Sequence, residues 1–172
     1  MKQKPIHVNV DCARDFAAAV EPYIQNPNLY KSTNCYSYAL GIPEAGIAVP
    51  GHLTKPEGRL YNYMARADYM RKLLTDDGLI EIDHADLARV QTQVIAVVIK
   101  EYFNGHVLKY HKDGTWSYQD GAGQPITNLD CDDKIITDPR NANMGFYDEF
   151  VGYFKLPETG IYYKANKQSP LL

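Results

Sequence analysis

The feature that most constrains this chain is the run Val94-Ile95-Ala96-Val97-Val98-Ile99. It is almost wholly β-branched and has no polar residue to turn toward water. Such a run fits a strand covered on both faces. The length of 172 residues suits one domain with a core of its own, and no linker, repeat or low-complexity tract divides residues 1–172. Around the central run the chain offers helices and short strands, which places it in the α+β class. Ile6, Val8 and Val10 alternate as in an edge strand. Residues 12–24 put Phe16, Val20 and Ile24 at helical spacing, with Asp11 as cap and Pro22 weakening the end. Residues 31–41 form a short helix, capped by Ser32 or Thr33 and stopped by Gly41 and Pro43. A Gly/Pro-rich loop spans 41–58. Residues 59–75 return to helical period through Leu60, Tyr63, Ala67, Met70 and Leu74. Short strands are expected at 79–82, around Ile126 and at Ile135-Ile136, and a last clear one at 150–156; the tail from Pro157 reads as irregular.

The segment after Asn104-Gly105 is a hairpin candidate. Lys112-Asp113-Gly114 fits a three-residue loop closed by a left-handed glycine. That register pairs Tyr110 with Trp116, Leu108 with Tyr118 and His106 with Asp120. One face then carries His106, Leu108, Tyr110, Trp116, Tyr118 and Asp120, and its apolar middle should look inward. The other carries Val107, Lys109, His111, Ser117 and Gln119, so His111 is read as solvated. A two-residue Asp113-Gly114 turn is the competing register, which sets Gly121 opposite His106 and leaves Asp120 adjacent.

Cys35 falls in the first turn of the 31–41 helix. A thiol attacks as the thiolate, and free amides and the dipole at a helix start favour that anion. The same amides can stabilise an oxyanion. Against this stands the ordinary role of free Cys as a small buried hydrophobe. A base is available in His106, and Asp120 could orient it as a carboxylate does in other triads. Gln119, Tyr118 and Ser117 are alternative orienters.

Cysteine on a helix, then a hydrophobic strand, then a histidine opening a hairpin, is the order of papain-like enzymes. Asn34-Cys35-Tyr36-Ser37-Tyr38-Ala39 resembles the Cys-helix motif of the NlpC/P60 and related papain-like amidases. Gly105-His106-Val107, with Tyr110 and Gly114, resembles their His-Val-x-x-Tyr strand and glycine turn. The match covers about a quarter of the chain and has departures. Tyr36 and Ser37 stand where small residues are usual, and no third-position His is present. The segment DGTWSYQDG also resembles a loosely described bacterial papain-like group. The resemblance implies a papain-like fold, with the Cys-bearing helix packed on a central antiparallel sheet. It also implies a thiol-dependent hydrolase of a peptide or cell-wall peptide amide, with Cys35 as nucleophile, His106 as base and Asp120 as orienter. Asn34, Tyr36, His52 and Tyr118 are the candidate oxyanion or substrate contacts. Deamidation of Gln or Asn, acyl transfer of the transglutaminase type, and a non-catalytic peptide-binding domain are the alternatives.

This chemistry calls for no cofactor and no metal, and the cysteine spacing supports neither a zinc site nor a disulfide framework. With 18 Lys+Arg against 21 Asp+Glu, the chain lacks the basic footprint of a nucleic-acid binder. No apolar stretch approaches the roughly 20 residues of a membrane helix. The N-terminus has no apolar signal region, so the expected compartment is the cytoplasm, or export by a specialised secretion system. An inhibitor or immunity protein is a candidate partner. The 14 Tyr against 5 Phe and 1 Trp suit either a core with bonded hydroxyls or a wet groove.

Overall fold

The computed structural model describes residues 3–55 and 59–166. The central run forms β3 (Val94–Lys100), buried through Ile99. It is the middle of a six-stranded antiparallel sheet ordered β2-β7-β3-β4-β5-β6, with β2 (Ile80–Ile82), β4 (Asn104–Tyr110), β5 (Trp116–Gln119), β6 (Ile126–Thr127) and β7 (Glu149–Lys155). The predicted hairpin register holds beside the turn, where Tyr110 pairs with Trp116, Lys109 with Ser117, and the His111 carbonyl accepts from the Gly114 amide; the expected pairs Leu108–Tyr118 and His106–Asp120 are not formed, because the ladder stops at Lys109–Ser117.

Each face of the sheet has its own core, as period-two alternation on β3 requires. Ile95, Val97 and Ile99 pack with Tyr36, Leu40, Met70 and Leu74. These come from α3 (Cys35–Leu40) and α4 (Ala67–Asp76). Val94, Ala96 and Val98 pack with Leu108, Trp116, Tyr118, Ile136, Met144 and Tyr153, under the loops before β3 and β7.

Both hairpin faces are therefore inside, and the expectation of a solvated His111 is corrected. His111 is fully buried, and its Nε2 lies 2.7 Å from Ser117 Oγ, which in turn lies 2.6 Å from the Tyr38 hydroxyl. Lys109 is buried beside it, its ammonium donating to the carbonyls of Ala39 and Tyr38 at the end of α3. A polar strand face looks outward only when nothing polar covers it. Here the hydroxyl of Tyr38 and the spent carbonyls of α3 supply the partners.

Three further boundaries differ from expectation. α1 (Phe16–Gln25) starts four residues later than expected, capped by Asp15, whose Oδ1 accepts from Ala18 at 2.8 Å. Residues 11–14 are instead held as extended backbone: the Cys12 amide donates to Gln91, and the Ala13 carbonyl accepts from Lys112. The helix predicted over 59–75 is only α4, preceded by a single 3-10 turn at Asn62–Met64; the Ala65 carbonyl accepts from the Tyr102 amide across the β3–β4 turn. The tail contains β8 (Ile161–Tyr163), which pairs with β1 (Ile6–Val8). Ser169-Pro170 lies outside the described residues.

Candidate active site

α3 is only six residues long, yet it is capped at both ends. Asn34 is the N-cap: its Oδ1 accepts from the Ser37 amide, and the Ser37 hydroxyl accepts from the Asn34 amide. Gly41, at φ +71°, closes the C-terminus in the left-handed conformation; a Cβ there would lie 3.0 Å from Val10. Asn34 also donates from Nδ2 to the Ala48 carbonyl and accepts from the Ala48 amide, so it ties the helix start to the Gly/Pro loop. The cap is thus Asn34 rather than Ser32 or Thr33, which belong to α2 (Leu29–Ser32) and its end. Cys35 is therefore the first helical residue.

Its thiol meets the sheet where the β4–β5 ladder stops. The hydrogen-bonded pairs end at Lys109–Ser117, and β5 turns to β6, pairing Tyr118 with Thr127. The backbone amides of Val107 and Tyr36 favour the Cys35 thiolate. Burial still outweighs these donors and pushes the thiol up to about 11. His106, only 3% exposed, is pushed down to about 4 by burial. The resting pair is accordingly a neutral thiol and a neutral imidazole.

Cys35, His106 and Asp120 line one cavity of about 290 Å³. Its walls include Ile47–Pro50, Leu60, Met70, Gly105 and Tyr147. The His106 ring is held by aromatic packing: Tyr147 stacks on it at 5.0 Å and 15°, and Tyr118 meets it edge-on at 4.9 Å. Its Nε2 is buried and has no hydrogen-bond partner.

Asp120 shares the cavity with His106 but no hydrogen bond joins them, and no strand pair continues the ladder to bring them opposite. The other candidate orienters are engaged elsewhere. Gln119 accepts from Thr33 and donates to Tyr30, and Ser117 is bonded to Tyr38 and His111. Of the proposed substrate contacts, Asn34 and Tyr36 line the cavity. The Tyr36 hydroxyl points away into the core, donating to Asp77 at 2.6 Å. Tyr118 packs behind His106, and His52 lies outside the cavity lining. Tyr147 was not singled out in the sequence; only tertiary packing brings the segment before β7 against β4. Among the described residues no group of three or more His, Cys, Asp or Glu side chains could hold a metal ion, and no helix is long and apolar enough to cross a membrane. All three cysteines are free, Cys12 buried and Cys131 exposed.

No protein-family model matches the chain, and no solved structure does. Over 125 residues it is 30% identical to the "Insoluble matrix shell protein 1" of Ruditapes philippinarum, a match covering 73% of this chain and 80% of that one.

Proposed function

We propose, from the geometry of the site and not from its kinship, that this chain, which belongs to the same family as that shell matrix protein, is a thiol-dependent amidase with a papain-like site. Cys35 is the nucleophile and His106 the base. The observation that carries this reading is the shared cavity: a first-turn cysteine and a buried imidazole whose Nε2 has no hydrogen-bond partner line the same space. His106 takes the thiol proton as the sulfur–carbon bond forms and the carbonyl electrons move onto oxygen. Backbone amides at the helix start are the donors available to that charge. Collapse of the adduct breaks the carbon–nitrogen bond, and His106 returns the proton to the leaving amine. Water then attacks the thioester by the same route in reverse. Ring orientation comes from Tyr147 and Tyr118, and Asp120 is left without a bond to the imidazole. The substrate is a peptide or peptide-like amide.

An amine in place of water would give acyl transfer on the same pair. A second reading is a non-catalytic matrix domain, which the relative's name favours: that protein is named for an insoluble shell matrix. One experiment separates them. Wild type and Cys35→Ala are incubated with a peptide mixture and with peptidoglycan fragments, and products are read by mass spectrometry. The amidase gains water across an amide, or joins two components with loss of an amine. It loses this in Cys35→Ala and in His106→Ala while both variants keep the wild-type circular dichroism spectrum. Turnover undiminished in Cys35→Ala overturns the mechanism, and no turnover by wild type on any substrate favours the matrix domain.

A further inference from the structure

Among the described residues Asp120 is the one acidic or basic side chain on the cavity lining besides His106, and it is exposed. Among the described residues no hydrogen bond or salt bridge occupies its carboxylate, whereas the carboxylates of Asp130 and Asp138 are each held by several donors. Its backbone is placed by the next residue, Gly121 at φ +124°, in a conformation that residues with a side chain rarely adopt. The loop behind it is anchored: the Gly123 amide donates to the Tyr30 carbonyl at 2.6 Å, and Gln119 donates from Nε2 to the same carbonyl. The carboxylate is thus held at the cavity by a tied strand end, and its place there has no structural partner to explain it.

Its charge adds to burial, which is the main cause that raises the Cys35 thiol. The negative charge makes the Cys35 thiolate harder to form, and the same field reaches Tyr118 and Tyr147. A bound cation would offset that charge. We propose that Asp120 is the receptor for a cationic group, an ammonium or guanidinium, on the substrate of this site, so that the cavity selects cationic substrates. This rests on the reading of Cys35 as the reacting group, and it replaces an orienting role for Asp120 with a substrate-binding one.

The test reads the charge at Cys35 without requiring turnover. In a Cys131→Ser background, which removes the exposed thiol, the protein is treated with methanethiosulfonates bearing either a trimethylammonium or a sulfonate head. The Cys35 sulfur attacks the sulfenyl sulfur, a mixed disulfide forms, and methanesulfinate leaves. Mass spectrometry assigns the labelled residue and gives the rates. The cationic reagent should react faster at Cys35 by about tenfold or more, relative to the ratio for a free thiol, at low salt. Asp120→Asn should bring that ratio to within about twofold of the free thiol, and high salt should shrink it in wild type. No preference in wild type, or a preference unchanged in Asp120→Asn, overturns the proposal. With a cleavable substrate in hand, Asp120→Asn should raise KM for a lysine-bearing peptide and leave KM for its norleucine counterpart unchanged, whereas an orienter would lower kcat for both. Failure of the amidase reading is seen separately, as activity that survives Cys35→Ala.

Discussion

Asp77 joins the Cys-bearing helix, the Gly/Pro loop and the end of α4, and its removal should be felt in all three. Its carboxylate accepts from the Tyr36 hydroxyl at 2.6 Å, the Gly51 amide at 2.6 Å and the Leu53 amide at 3.1 Å. Asp77→Ala strands three donors in a region where Tyr36 is 1% and Leu53 3% exposed. At about 2 kcal/mol for each stranded donor the loss is about 6 kcal/mol. Against this stands the cost of burying the carboxylate, which burial pushes up from 3.8 to about 6 despite its donors. That shift corresponds to about 3 kcal/mol at neutral pH, which the alanine variant no longer bears. The net expectation is a destabilisation of about 3 kcal/mol, read as a lower midpoint in urea at pH 7 with the slope unchanged. Tyr36→Phe alone should cost about 1–2 kcal/mol and almost nothing on the Asp77→Ala background, because both remove the same bond. A loss below about 1 kcal/mol for Asp77→Ala, or full additivity of the pair, refutes the reasoning.

Two other outcomes follow from the buried polar groups. His111→Ala should cost about 2–4 kcal/mol in the same assay, since it opens a cavity under α1 and strands the Ser117–Tyr38 pair; a change within 0.5 kcal/mol, roughly the range for a surface site, would refute the buried assignment. Stability should also fall with acid. His106 and His111 are both pushed down to about 4 from 6.5, so the unfolded chain binds more protons than the folded one across that window. Their joint contribution, about 6–7 kcal/mol, is present above pH 6.5 and lost as pH falls toward 4. Asp77 has the opposite sign: its folded value is raised, so its protonated form favours folding as pH drops through about 6, returning about 3 kcal/mol. The net loss between pH 6.5 and 4 is about 3–4 kcal/mol by denaturant titration. His106→Gln should flatten the profile by about half of the histidine share, and an unflattened profile would show that His106 titrates normally.

Local sequence was sufficient wherever a short-range physical rule acts. The β-branched run admits only a strand covered on both faces, and β3 is that strand. The Lys112-Asp113-Gly114 turn sets the pairing of Tyr110 with Trp116, because a left-handed glycine closes only that register. Cys35 at a helix start and Gly41 at its end follow from backbone capping within one turn. What the tertiary structure decided are the places where a distant group supplies a partner. Residues 11–14 have helical pattern, but their backbone bonds to Gln91 and Lys112. His111 and Lys109 look like a solvated face until α3 brings Tyr38 and its end carbonyls over them. His106 is oriented by Tyr147, from a segment some forty residues on, and not by the neighbour that the hairpin register puts opposite it. Asp120 stands alone for the same reason: β5 leaves β4 for β6 before the ladder reaches it. Alternation and turn type fix which residues share a face, but burial, charge and partners depend on what packs on that face, and no local rule carries that information.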